Sequence, residues 1–126
     1  MPEATFDWRS ARLRKHADYQ RVYRESRRYS SASMSYFYRV RGEGEAAGAA
    51  ARVGLTTGRV LGKAVERNRI RRRLREAVRQ HAQDLPGRVD VVLHPRRTVM
   101  EMEFTRLDSE VARIFASVRA GVGAIA

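Results

Sequence analysis

The chain has 126 residues, 43% of them hydrophobic, which suits one domain built around one core. It carries 26 lysines and arginines against 14 aspartates and glutamates, a net charge of +12, and no cysteine. This excludes a disulfide framework, a thiol nucleophile and cysteine-based zinc sites. No run approaches the roughly 18 apolar residues of a membrane span, and the opening residues Met1 to Trp8 lack an apolar signal core, so a cytoplasmic protein is expected. A globular chain this basic repels itself, which points to a polyanionic partner, nucleic acid ahead of an anionic membrane.

Only Lys15 and Lys63 are lysines, so the placement of the arginines carries more information than their number. Residues 1–45 hold 10 basic and 6 acidic side chains, residues 46–83 hold 10 and 2, and residues 84–126 hold 6 and 6. Two thirds of the excess charge therefore lies in the middle segment.

In chain order, residues 1–11 show no period and are expected to form a flexible arm. Tyr19, Val22 and Tyr23 fall at i, i+3 and i+4, which predicts a helix over about 16–26. Ser30 to Ser33 reads as a polar break. Met34 to Val40 is rich in aromatics and predicts a strand, with Met34, Tyr36, Tyr38 and Val40 on one face and Ser35, Phe37 and Arg39 on the other. The Gly/Ala-rich stretch 42–51 predicts a flexible loop inside the domain. Arg52 to Thr57 predicts a second strand, and Gly58 to Gly62 a turn with room for a short third one. A helix is expected over about 63–81, and Pro86-Gly87 ends the connection after it. Val89 to His94 predicts a central strand stopped by Pro95. Phe104, Leu107, Val111, Ile114, Phe115 and Val118 mark an amphipathic helix over about 103–120. The order α-β-β-(β)-α-β-α predicts an α+β fold, a small α-β sandwich over 1–126.

The helix over 63–81 holds the main signal. On a wheel of about 100° per residue, Ile70, Leu74, Ala77, Val78 and His81 form an apolar stripe. Asn68, Arg71, Arg72, Arg75 and Arg79 form the opposite face, with Arg69 and Arg73 flanking the stripe and Arg67 on its side in the first turn. Like charges at i, i+3 and i+4 destabilise an isolated helix by about 0.2–0.5 kcal/mol per pair. The wheel places no acid inside this ridge, and Glu76 only borders it beside Arg72. An external polyanion would neutralise such a face, and guanidinium forks suit phosphate oxygens.

Tyr19, Tyr23 and Phe37 can share one side of the first helix and strand. Their spacing alone favours core packing, while exposed aromatics beside arginines can stack unpaired bases. His16, His81 and His94 make no metal-binding spacing, and Glu101, Glu103, Asp108 and Glu110 read as the solvated face of the last helix. No metal site and no catalytic side chain are expected in the chain.

Val53-Gly54-Leu55-Thr56 followed by Gly62-Lys63-Ala64-Val65-Glu66-Arg67-Asn68-Arg69-Ile70-Arg71-Arg72 resembles the signature of bacterial ribonuclease P protein subunits. Arg67-Asn68-Arg69 matches that family's Arg-Asn-Arg motif. Leu13-Arg14-Lys15 with Asp18-Tyr19 and Val22-Tyr23 resembles the family's first helix, and Asp90-Val91-Val92-Leu93 with Arg96 its last strand. The resemblance covers about residues 12–118. It implies a left-handed β-α-β crossover, against the usual right-handed rule. It implies binding to a catalytic RNA that removes the 5′ leader of precursor tRNA by endonucleolytic hydrolysis, with Mg²⁺ bound mainly by that RNA. Arg67, Asn68, Arg69, Arg71, Arg72 and Arg75 match the RNA-contacting helix, and Arg79, Arg59, Lys63, Arg12 and Arg14 extend the expected contact. Tyr19 and Tyr23 match aromatics of the leader cleft, which reverses the core-packing preference for them. Phe37, with Arg39, takes the strand position of that cleft in a gapless match; a shift of one residue would give it to Tyr36 or Tyr38. The chain departs from the family in having Gly58-Arg59-Val60 where Ser-Lys-Lys is common. The rivals are a general RNA- or ribosome-binding protein and, less favoured, a basic helix on a membrane surface.

Overall fold

The computed structural model describes residues 7–45 and 50–125. Four helices, α1 (Trp8–Ala11), α2 (His16–Glu25), α3 (Ala64–His81) and α4 (Phe104–Ile125), accompany four strands, β1 (Tyr29–Ser30), β2 (Met34–Val40), β3 (Arg52–Leu55) and β4 (Val89–Pro95). The sheet order is β1-β2-β4-β3. β2 runs antiparallel to both β1 and β4, while β3 is parallel to β4 and joined to it through α3. The expected α+β architecture is what forms.

Alternation along the strands sorts side chains to two faces. Met34, Tyr36, Val53, Val89, Val91 and Leu93 join Ile70, Leu74, Ala77 and Val78 of α3 and Leu107, Val111, Ile114, Phe115 and Val118 of α4 in one buried cluster. On the other face Leu13, Val22 and Val92 form a smaller cluster beneath α2, with Tyr19, Tyr23 and Phe37 packed partly against it. The sheet thus separates α2 from the α3–α4 layer.

Charge is buried between these parts. Arg41, 2% exposed, donates to Asp90 Oδ1 at 2.5 Å. Arg52 grips both oxygens of Asp90 at 2.9 and 2.8 Å and reaches Asp18 of α2 at 3.4 Å. Breaking a buried pair leaves an uncompensated charge, which costs about 3–5 kcal/mol. This network ties α2 to the ends of β2, β3 and β4.

Several expectations need correction. The segment expected to be a flexible arm contains α1: the Asp7 carboxylate accepts from Arg9 N at 2.9 Å as its N-cap, and Leu13 N donates to Val53 O at 3.1 Å. Residues 1–6 of the expected arm lie outside the described residues, as do 46–49 of the expected loop. The polar break begins inside β1, which is held by pairing Tyr29 with Tyr36 and Ser30 with Ser35. Arg59–Leu61 forms a 3₁₀ turn where a third strand had room. α4 continues past 120 through Gly121, where a Cβ would collide with the Tyr38 hydroxyl, so the missing side chain lets the helix close on the sheet. Glu110 is not solvated: 1% exposed, it accepts from Ser33 N at 2.8 Å and Ser33 Oγ at 2.7 Å.

Candidate nucleic-acid interface

α3 begins at a defined point. Gly62 has φ 121°, a left-handed conformation open to glycine, and a Cβ there would sit 2.5 Å from Glu66 Oε1. That same oxygen accepts from Lys63 N at 2.9 Å, closing the first turn. Ile70, Leu74, Ala77 and Val78 are then fully buried, which turns the opposite face outward.

On that face Asn68, Arg72 and Arg79 are exposed and Arg71 and Arg75 half-buried. Arg71 donates to Asn68 Oδ1 at 2.5 Å and to Thr57 Oγ1 at 2.6 Å. Arg75 sits 5.9 Å from the Trp8 ring centroid, with Trp8 Nε1 donating to Arg75 O at 3.4 Å. Among the described residues no carboxylate forms an ion pair with Arg71, Arg72 or Arg75. Burial and then the neighbouring charges of Arg71 and Arg12 push the Arg75 guanidinium below its ordinary value. An anion at this position would relieve that repulsion.

The ridge is less uniform than the wheel suggests. Arg79 pairs with Glu76 at 2.6 Å, because i and i+3 side chains meet on a helix even where their wheel angles differ. Arg73 serves the fold, donating to Met100 O at 2.7 Å and also to Met102 O. His81, placed by the wheel on the buried stripe, is half-buried, with Nε2 2.9 Å from Asp108 Oδ1. Arg59, Lys63 and Arg69 are exposed at the start of α3, and Arg67 is half-buried there. Arg12 and Arg14, exposed on the stretch between α1 and α2, join Arg71 and Arg75 around one cavity.

The second part of the site is aromatic. Phe37 faces α2, whereas Tyr36 and Tyr38 face the opposite side, so the gapless alignment places its aromatic beside Tyr23. Tyr23 meets Phe37 edge-on at 5.1 Å between centroids and His94 at 5.4 Å, and its hydroxyl lies 2.8 Å from His94 Nε2. Tyr19 lies 6.5 Å from Tyr23 and donates to Leu13 O at 3.2 Å. Gly54 makes room for it: a Cβ there would stand 2.6 Å from the Tyr19 hydroxyl. Burial raises the pKa of both tyrosines and is the larger cause lowering that of His94, with Arg28 adding to it. All four rings keep partial exposure. Arg39, grouped with them by sequence, is held by Glu25 at 3.1 Å and Glu45 at 2.8 Å. Its charge is therefore matched within the chain.

Sequence reasoning missed Trp8 and His94 as members of this surface. An aspartate before a short aperiodic stretch is a helix-start signal that could have exposed α1. His94 gave a weaker one, its position on the Phe37 face following only from the strand register.

The ribonuclease P family profile matches residues 8–119. The chain belongs to this family. A protein of Oleidesulfovibrio alaskensis named ribonuclease P protein component is 37% identical over 88% of this chain and 86% of its own length. Among solved structures, the Staphylococcus aureus RNase P protein superposes with a TM-score of 0.72 at 23% identity, covering 86% of this chain and 97% of that one. The RNase P protein from Thermotoga maritima gives 0.70 at 23% identity, covering 82% and 94%. The two structures support the α+β fold; family membership rests on the profile and on the sequence relatives.

Proposed function

We propose that this chain is the protein subunit of a cytoplasmic ribonuclease P, binding the catalytic RNA through α3 and seating the 5′ leader of precursor tRNA on the Tyr19–Tyr23–Phe37 surface. The carrying observation is that Arg71, Arg72 and Arg75 have no carboxylate ion-pair partner among the described residues, on a helix whose opposite stripe, Ile70, Leu74, Ala77 and Val78, is fully buried. Such a ridge can neutralise phosphates and release their counterions without unfolding the core. Arg67, Asn68, Arg69, Lys63 and Arg59 extend the contact at the start of α3, and Arg12 and Arg14 extend it from the α1–α2 stretch. The half-exposed rings of Tyr19, Tyr23 and Phe37 offer stacking surfaces for unpaired bases. Arg39 takes a smaller part, because its two carboxylate partners already match its charge.

Among the described residues no three His, Asp or Glu side chains converge to hold a metal. We assign Mg²⁺ and the hydrolysis of the phosphodiester to the RNA partner. The chain's share is positional and electrostatic: it anchors the leader and screens phosphate repulsion.

Cleavage of precursor tRNA by the catalytic RNA at low Mg²⁺, with and without the chain, tests this. Stimulation that grows as the leader lengthens across the aromatic surface is expected. Binding that ignores the leader would favour a general RNA-binding protein, and no stimulation would overturn the assignment.

A further inference from the structure

Where α1, the start of α2, β3 and α3 meet, the structure forms a half-open cavity of about 260 Å³. Among the described residues Trp8, Arg12, Arg14, Tyr19, Arg71 and Arg75 line it, and no carboxylate does. We propose that this cavity is a phosphoryl pocket, taking a terminal phosphate group of two or more charges, such as a phosphorylated RNA 5′ end or the diphosphate of a nucleotide. The proposal deepens the RNA-binding reading and rests on it for the RNA-end source.

The contrast with the larger cavity beside α2 sets this one apart. That cavity also holds arginines, but Asp18, Glu25 and Glu45 line it too and pair with Arg21, Arg39 and Arg52. In the smaller cavity the lining brings four arginines together, with no carboxylate among the described residues to offset their mutual repulsion. A single diester charge leaves most of that repulsion in place, whereas a phosphomonoester or pyrophosphate offsets two or more charges at once.

Three of the four guanidiniums are also held in place. Arg71 is tied to Thr57 and Asn68, Arg14 Nη2 donates to Arg9 O at 2.5 Å, and Arg75 lies against the Trp8 ring. Groups fixed before binding lose less rotamer freedom when the ligand arrives. Size limits the ligand further. Pockets that engulf a drug-sized molecule run to about 300–1,000 Å³, so this one suits the phosphoryl tip and leaves sugar and base outside. Tyr19 belongs to both this pocket and the aromatic surface, so a strand stacked on Tyr23 can direct its end here.

Trp8 is the chain's one tryptophan, so its emission reports on the pocket directly. The full chain is titrated at constant ionic strength with pyrophosphate and, separately, with the dinucleoside monophosphate ApA, which bears one diester. Calorimetry runs in parallel and far-ultraviolet circular dichroism checks folding. Saturable pyrophosphate binding at least tenfold tighter than ApA is expected. Arg12→Ala and Arg71→Ala should each weaken it tenfold or more. Arg119→Ala, which removes the same charge from α4 outside the pocket, should change it less than twofold. Should Arg71→Ala unfold, the exposed Arg12→Ala still decides. Equal binding of pyrophosphate and ApA, or equal weakening by Arg119→Ala, would mean diffuse charge attraction and overturn the pocket. Oligoribonucleotides with 5′-phosphate or 5′-hydroxyl ends then separate the sources: a preference for the phosphate assigns the RNA end, and saturable pyrophosphate binding without it assigns a free nucleotide. Stimulated leader cleavage without anion binding would remove the pocket alone. Anion binding without stimulation would remove the broader reading alone.

Discussion

Arg72 and Arg73 are neighbours in sequence with opposite roles. Arg73 donates to two carbonyls before α4, while Arg72 stands exposed on the ridge. A guanidinium has five donors, and its partners decide whether it serves the fold or remains available to phosphate. His94 shows the same dependence on surroundings. Burial, and then the positive charge of Arg28, hold it below its ordinary value of 6.5 while its ring touches Tyr23 and Phe37. In the unfolded chain the imidazole takes up its proton near the ordinary value, and in the folded chain only at lower pH. The unfolded state therefore binds more protons in that window, so His94 makes stability rise with pH there and fall on acidification. His94→Gln keeps a hydrogen-bonding group opposite the Tyr23 hydroxyl and removes the titration. Urea unfolding between about pH 7 and about pH 5 should show the parent losing more stability than the variant. Parallel pH curves would refute the account.

At the level of elements, α3 divides cleanly between core and surface. Leu74 is fully buried, so Leu74→Ala should destabilise by about 2–5 kcal/mol, whereas Arg72→Ala should cost no more than about 0.5 kcal/mol. Thermal or urea unfolding of the two variants measures the difference; a destabilised Arg72→Ala would show that the ridge serves the fold. This division is legible in the sequence because the period of α3 extends over eighteen residues. The same holds for α4, where apolar residues recur every three or four positions. α1 and β1 escaped because four and two residues carry no period, and β1 exists only through pairing with β2. Long-range partners were equally hidden. Glu110 looked solvated because Ser33, which buries it, lies 77 positions away. The Trp8–Arg75 contact spans 67 positions and brings together two residues that line the cationic cavity. The aromatic cleft was legible only in part, since the Phe37 face follows from strand alternation but the Tyr23–His94 contact does not.

Across the whole molecule, the net charge of +12 is less telling than the uneven way the fold neutralises it. Around α2 and the ends of β2 and β3, Arg21, Arg39, Arg41 and Arg52 are matched by Asp18, Glu25, Glu45 and Asp90. Glu45 is held down to about 2 chiefly by its hydrogen bond from Arg39, so that part of the surface stays paired across the working pH range. Among the described residues the face of α3 from Asn68 to Arg75 lacks such matching, and on the proposed function counterions cover it until RNA replaces them. Each phosphate neutralised changes the slope of log affinity against log salt by about 0.7–0.9. Arg72→Ala and Arg75→Ala together should therefore flatten the slope for the catalytic RNA by about 1.4–1.8. Arg79→Ala should flatten it by less than either single change, because Glu76 already neutralises Arg79. Filter-binding across a salt series measures all three. An Arg79 effect equal to that of Arg72 would mean that RNA breaks the Glu76 pair and recruits the entire helix, and the contact would then extend one turn further than the unpaired arginines indicate.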